Sequence, residues 1–203
     1  MTDPCVKYAN IPKKDAKKLL VRTKKIDPTS EGDLKKNHLR PGSSVSVDHF
    51  ESRIKGRIFT SFLYSISEQY VGGCVFVDHT SSYIQVEHQL LFSYSEIIRA
   101  KQTYEKHCLD HGFMVGTYLP TNRVFKANTF VNHIKNRAQR RFCRVNAHHQ
   151  NGITERAIKT VSDMSRAMML HASDHWENGI DSFLWPMPTT CATYIYNHFL
   201  DSN

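Results

Sequence analysis

The residues best placed for chemistry lie between Val145 and Ala172, in VNAHHQNGITERAIKTVSDMSRAMMLHA. A polar segment, Asn146-Ala147-His148-His149-Gln150-Asn151-Gly152, opens it. Ile153, Ala157, Val161, Met164 and Met168 then recur at helical spacing and draw one apolar stripe. Glu155, Lys159, Ser162 and Arg166 fall on the other side. The pattern predicts a polar turn followed by a helix from Ile153 to about Ala172. Glu155 then stands near an exposed helix start, where backbone N–H groups favour anions. A carboxylate in that place either complements the helix dipole or serves as a metal ligand or acid–base group. Further acids end two apolar runs: Asp48 in Ser46-Val47-Asp48-His49 and Asp78 in Phe76-Val77-Asp78-His79. The adjacent His148 and His149 point apart and do not make a metal site. The chain holds no Gly-x-Ser-x-Gly elbow and no phosphate-binding P-loop.

These residues need elements to hold them. The sequence predicts three strands, Ser44 to Phe50, Cys74 to Asp78 and Tyr83 to His88, with Thr80-Ser81-Ser82 as a turn. Arg53 to Ser67 is expected to be a hairpin or loop. A helix from Ser93 to His111 follows, capped by Ser93 or Ser95, with Ile97, Ile98, Ala100, Tyr104, Cys108 and Leu109 inward and Gly112 as its stop. Phe113 to Leu119 is a fourth strand ended by Pro120, Ala127 to Lys135 a short helix, and Arg140 to Val145 a fifth strand with a basic face. After the central helix, Phe183 to Phe199 forms a last helix or pair. Trp185-Pro186 breaks its start, and Ala192, Ile195, Tyr196 and Phe199 face inward. The expected fold class is α/β, a mixed five-stranded sheet flanked by helices.

Composition narrows the partners. The 203 residues carry a formal charge of +8, and residues 1–40 hold 11 Lys/Arg against 5 Asp/Glu, so +6 of it lies there. A basic arm beside a nearly neutral domain suits nucleic acid or another acidic partner, or simply a solvated leader. Five scattered cysteines with no Cys-x-x-Cys pair suggest reduced thiols in an intracellular compartment. Neither a secretory signal nor a long apolar run is present, so no membrane role is expected.

The stretch NAHHQNGITER, followed by an amphipathic helix and LHAxxHW, resembles the integrase core of copia-type retrotransposons. Loop and helix there read NAHHQNGIAER or close to it, so Thr154 replaces the usual Ala. The resemblance covers about residues 44–200 and implies a ribonuclease-H-like fold. It divides the chain into residues 1–43, a basic linker and remnant of an upstream zinc-binding module ending near Cys5, and residues 44–203, the core-like domain. It implies an Asp, Asp, Glu site for Mg²⁺ or Mn²⁺, in which Asp48 and Glu155 are the first and third carboxylates. The second belongs in a D-N-G-x-F turn, where this chain reads Thr121-Asn122-Arg123-Val124-Phe125. A Thr hydroxyl binds a hard cation weakly, and Arg123 brings a positive charge where a turn glycine was expected. The chain thus resembles a metal-dependent polynucleotidyl transferase impaired in catalysis as written, with Mg²⁺ or Mn²⁺ if it is active and otherwise no cofactor. Asp78 is the one acid that could stand in.

The resemblance also implies DNA as partner, a homo-oligomer, and a nuclear location if the source is eukaryotic. Candidate nucleic-acid contacts are Asn151, Lys159, Arg140, Arg141 and Arg144. Three other readings stay open at this level. They are an active integrase with an unusual site, a repurposed non-catalytic DNA- or RNA-binding protein, and a non-functional transposon remnant.

Overall fold

A computed structural model describes residues 40–59, 69–120, 148–176 and 180–200, with the backbone alone at 148–151 and 200. The expected helix at Ala127–Lys135 and strand at Arg140–Val145 fall outside these residues, as do Thr121 to Phe125 and the first 39 residues.

Four strands form one mixed sheet in the order β3-β2-β1-β4. They are β1 (Val45–Gly56), β2 (Tyr70–Asp78), β3 (Ile84–Gln89) and β4 (Tyr118–Pro120). β1 pairs antiparallel with β2, β2 antiparallel with β3, and β1 parallel with β4. β2 reads as an almost continuous apolar run because both its faces are covered, and it is buried from Gly72 to Asp78. Among the described residues three helices complete the order: α1 (Tyr94–Asp110), α2 (His148–His175) and α3 (Pro186–Leu200), with a 3₁₀ turn at Ser182–Leu184 before the last.

The two-residue period of the strands sorts the core into two layers. On one face Val45, Val47, Cys74 and Phe76 pack with Ile97, Ala100, Tyr104 and Cys108 of α1, and with Tyr118. Phe76 and Tyr104 stack with centroids 4.7 Å apart. On the other face Val75, Val77 and Ile84 pack with Ala157 and Val161 of α2 and Ala192 of α3. Ile153, Met164, Met168 and Tyr196 lie against that cluster. The predicted stripe of α2 is therefore the buried one.

α1 starts and stops as the sequence implies. Ser93 Oγ accepts the Glu96 backbone N–H. At the other end Gly112 has φ +79°, and the Phe113 and Gly112 N–H groups bond back to the carbonyls of Cys108 and Leu109, a Schellman end that needs a left-handed residue. Leu109, expected inward, is 59% exposed because it falls on the far side of this final turn. Phe199, likewise expected inward at the end of α3, is 71% exposed.

Three boundaries differ from expectation. β1 runs on to Gly56 instead of ending at Phe50, since residues expected to be loop pair again at Gly56↔Tyr70. β4 keeps only Tyr118–Pro120. Before it, the Gly116 N–H donates to the Gly42 carbonyl and the Thr117 carbonyl accepts from Val45, so the chain is held against the Arg40–Ser43 turn rather than in a ladder. α2 begins at His148, so the polar segment is helix and not turn from that residue on. Nothing in His148 to Asn151 breaks a helix, and Gly152 lies within it.

Three polar clusters brace the sheet. Lys101 is 1% exposed; its Nζ lies 2.7 Å from Glu105 Oε1, whose other neighbour is the Tyr118 hydroxyl at 3.2 Å. This links α1 to β4. At the edge strand β3, the Asn197 amide accepts from the Ile84 N–H and donates to the Ile84 carbonyl, which satisfies an edge that would otherwise be open for pairing. Near the far end of β1, His88 is enclosed by Phe50, Phe59, Tyr70 and Trp185, with Nε2 3.0 Å from Thr190 Oγ1.

Two expected outcomes follow from these clusters. Glu105→Ala leaves the Lys101 ammonium buried without its partner, and urea unfolding should show a loss of about 3 kcal/mol; a loss below about 1 kcal/mol would mean Lys101 turns out to water. Burial pushes the His88 imidazole down to about 4 from 6.5. Its contribution to stability is therefore complete above pH 6.5 and is lost as pH falls toward the folded value. From this group the protein is expected to be about 2 kcal/mol less stable at pH 5 than at pH 8. Unfolding curves of His88→Phe should lack that component, and an unchanged pH dependence would contradict the assignment.

Candidate functional site

Asp48 lies in the middle of β1, opposite Val75 of β2. Residues opposite one another share a face, so Asp48 points to the α2 side, where Val75 is in the core. It is partly exposed, and its Oδ1 accepts the His49 backbone N–H at 2.8 Å. The same face carries Ser46, fully buried, whose Oγ lies 2.6 Å from His79 Nε2. The His79 backbone N–H donates to the Ser44 carbonyl. The Ser of S-V-D-H and the His of V-D-H thus tie β1 to the end of β2 beside Asp48. Sequence reasoning read both residues only as strand and turn. The signal was the recurrence of Asp-His after two apolar runs.

His49 points the other way, edge-on to Phe92 at 5.6 Å. Burial lowers its pKa, with the nearby Asp48 charge opposing the shift. Behind it Cys74 is fully buried, and burial, reinforced by Glu87, pushes its thiol well above the usual range. That cysteine is a packing residue and not a nucleophile.

Glu155 is exposed on α2, as are Lys159, Ser162 and Arg166, so the expected polar face is present. Because α2 begins at His148, Glu155 lies about two turns inside the helix, and no acid occupies the first turn. Helix-end electrostatics fade beyond that turn, so the expected anion-attracting helix start is not where Glu155 stands. Lys159 pairs with Asp163 at 3.1 Å, with both side chains largely exposed. Thr154, next to Glu155, is fully buried and its hydroxyl has no hydrogen-bond partner. Arg140, Arg141, Arg144, Thr121 and Arg123, and the Asn151 side chain, lie outside the described residues.

Asp78 resolves differently from the stand-in that the sequence allowed. It is opposite Val45, so it faces the α1 side, the opposite face from Asp48. It is 3% exposed. Its Oδ1 accepts the Gly42 N–H at 3.0 Å, and its Oδ2 accepts both the Ser81 N–H at 2.8 Å and the Ser81 hydroxyl at 2.6 Å. The carboxylate is spent on closing the turn to β3, in which Ser82 takes φ +62°.

The donor set can be weighed against a two-cation site, which needs several carboxylates converging on one point. Among the described residues no three His, Cys, Asp or Glu side chains converge in that way. Asp48 and Glu155 are both available on the α2 side, and Asp78 is committed elsewhere. Thr121, which the resemblance sets in the remaining place, lies outside the described residues. Among the described residues the donor set therefore does not fit a pair of hard cations.

A cleft of about 550 Å³ lies between β1, the second half of α2 and the Trp185 corner, lined by Phe50, Val75, Val161, Arg166 and Trp185 among others. Neither Asp48 nor Glu155 lines it.

No family model matches the chain, and no curated protein does. Solved structures do. The HTLV-2 integrase catalytic core domain in complex with magnesium matches in its dimeric form with TM-score 0.52 and 13% identity, over 77% of this chain and 86% of that one. The trimeric form gives 0.50 and 12%, over 77% and 85%. A chain of the simian T-cell lymphotropic virus intasome in complex with PP2A regulatory subunit B56 gamma gives 0.55 and 13%, covering 78% of this chain and 49% of that one. This chain thus spans about half of that intasome chain. At such identities the likeness concerns the fold: an α/β domain with the ribonuclease-H-like architecture of retroviral integrase catalytic cores. Among the described residues no helix is long and apolar enough to cross a membrane.

Two substitutions separate a structural acid from a site neighbour. Asp78→Asn places an amide N–H₂ against N–H and O–H donors, and is expected to lower the unfolding free energy by about 2 kcal/mol. Thr154→Ala removes a buried hydroxyl without a partner and gains helix propensity, so thermal unfolding should show a gain of about 1 kcal/mol. A loss on both Thr154→Ala and the volume-conserving Thr154→Val would mean that the hydroxyl is bonded in solution.

Proposed function

We propose that the chain is an integrase-core domain of copia-type retrotransposon descent that binds DNA but does not cut or join it as written. Support for the descent is NAHHQNGITER, ten of whose eleven residues match the copia pattern, on a fold of the integrase-core kind. Support for silent chemistry is the acid inventory. Asp48 and Glu155 are taken as the first and third carboxylates, Thr121 as the occupant of the second place, and Asp78, the acid considered as a stand-in, is on the other face of the sheet with its oxygens bonded. That last observation carries the reading, because it removes the compensation that would have kept three carboxylates together.

Mg²⁺ or Mn²⁺ would belong to such a site only in a chain that supplies the second carboxylate. A cation bound there would activate the attacking oxygen and stabilise the leaving one. In this chain Lys159, Asn151, Arg140, Arg141 and Arg144 are assigned to DNA contacts, together with the basic residues 1–43. A homo-oligomer, acting in the nucleus if the source is eukaryotic, is part of the same proposal.

End-nicking and strand-transfer assays with Mg²⁺ or Mn²⁺ test it, comparing the native chain with Thr121→Asp plus Arg123→Gly. The native chain is expected to stay at background and the doubly substituted one to rise to a measurable rate. Native activity that Glu155→Gln abolishes would overturn the proposal.

A further inference from the structure

β1 carries a feature unrelated to the carboxylates. Its register with β2 is continuous from Val45↔Asp78 to Glu51↔Gly72, then breaks and resumes only at Gly56↔Tyr70. Between those pairs β1 has Ser52, Arg53, Ile54 and Lys55, whereas β2 has Val71 alone. The surplus residues bulge out of the sheet. Arg53, Ile54 and Lys55 are all exposed, and Arg57 follows on the surface.

The bulge is held at its root. The Ser52 hydroxyl donates to the Ile54 carbonyl at 2.7 Å, and the Trp185 indole N–H donates to that same carbonyl at 2.8 Å. The Arg57 N–H donates to the Phe183 carbonyl at 2.7 Å. Gly56 lies so close to Trp185 and Pro186 that a side chain there would collide with both. A bulge re-aims side chains, and this one holds them on a clamped strand rather than on a solvated loop.

Residues 51–57 hold three cations against one carboxylate, Glu51. Arg53 and Lys55 make no ion pair among the described residues, where Arg99, Lys101 and Lys159 each have one. The bulge itself presents no aromatic ring for stacking on a base. Exposed cations without a stacking platform or a polar reader suit phosphates and not base edges.

We infer that the 52–57 bulge is a phosphate-contacting finger for the backbone of duplex DNA, with Arg53 and Lys55 as its contacts and no preference for sequence. The inference rests on the DNA-binding reading above and adds the surface. Fluorescence anisotropy of the full chain on a mixed-sequence duplex, repeated across salt concentrations, tests it against Arg53→Ala plus Lys55→Ala. Lys106→Ala, which removes one exposed cation from α1, is the control for charge, compared with Arg53→Ala and Lys55→Ala taken singly as well as with the pair.

The double variant is expected to bind about tenfold or more weakly at moderate salt, with a log–log salt slope shallower by about 2, while the control keeps most of its affinity. Native binding that the double variant matches in both affinity and slope would overturn the finger and leave the DNA-binding reading standing. A native chain that binds no duplex, even at low salt, would overturn both. Equal losses in the double variant and the control would also overturn the finger, because charge alone would then account for the effect.

Discussion

The pairing register of β1 on β2 is the constraint on which the rest depends. Val45 opposite Asp78 and Asp48 opposite Val75 place two acids, three positions apart on each strand, on opposite faces of one sheet. A shift of one residue would exchange every side chain between the layers and bury Asp48 against α1. Burial of Val45, Val47 and Phe76 on one side and Val75 and Val77 on the other makes that shift costly. The same register that builds the core therefore decides which carboxylate can serve a site on the α2 side.

Around that register each end of the sheet is locked by polar side chains. Asp78 joins the Gly42 turn to the β2–β3 turn, and Ser46 with His79 ties the neighbouring strand ends. At the opposite end Trp185, from the corner before α3, holds β1 beyond its ladder. Lys101, Glu105 and Tyr118 fix the short β4 against α1, which matters because β4 leads directly to Thr121. The frame is thus described up to Pro120, the residue before Thr121.

Much of this was legible in the sequence because period and punctuation carried it. The α2 stripe from Ile153 to Met168, the Ser93 cap, the Gly112 stop and the Trp185-Pro186 break all express local physics. The start of α2 was not legible, since Asn, His and Gln are polar in a turn and in a helix alike. The length of β1 was hidden because its second half pairs only after a bulge, which no alternation reports. The face of Asp78 could not be read without the register, since both Asp48 and Asp78 end an apolar run before a His. The expected fifth strand with its basic residues Arg140, Arg141 and Arg144, and Thr121 itself, lie outside the described residues.

Mn²⁺ titration followed by electron paramagnetic resonance tests the central claim most directly, on the native chain, Asp48→Asn and Asp78→Asn. The account predicts that the native chain holds no tight pair of Mn²⁺ ions. Any weak uptake should vanish with Asp48→Asn and be unchanged in folded Asp78→Asn. Two tightly held ions in the native chain, released by Asp78→Asn while the fold persists, would contradict it.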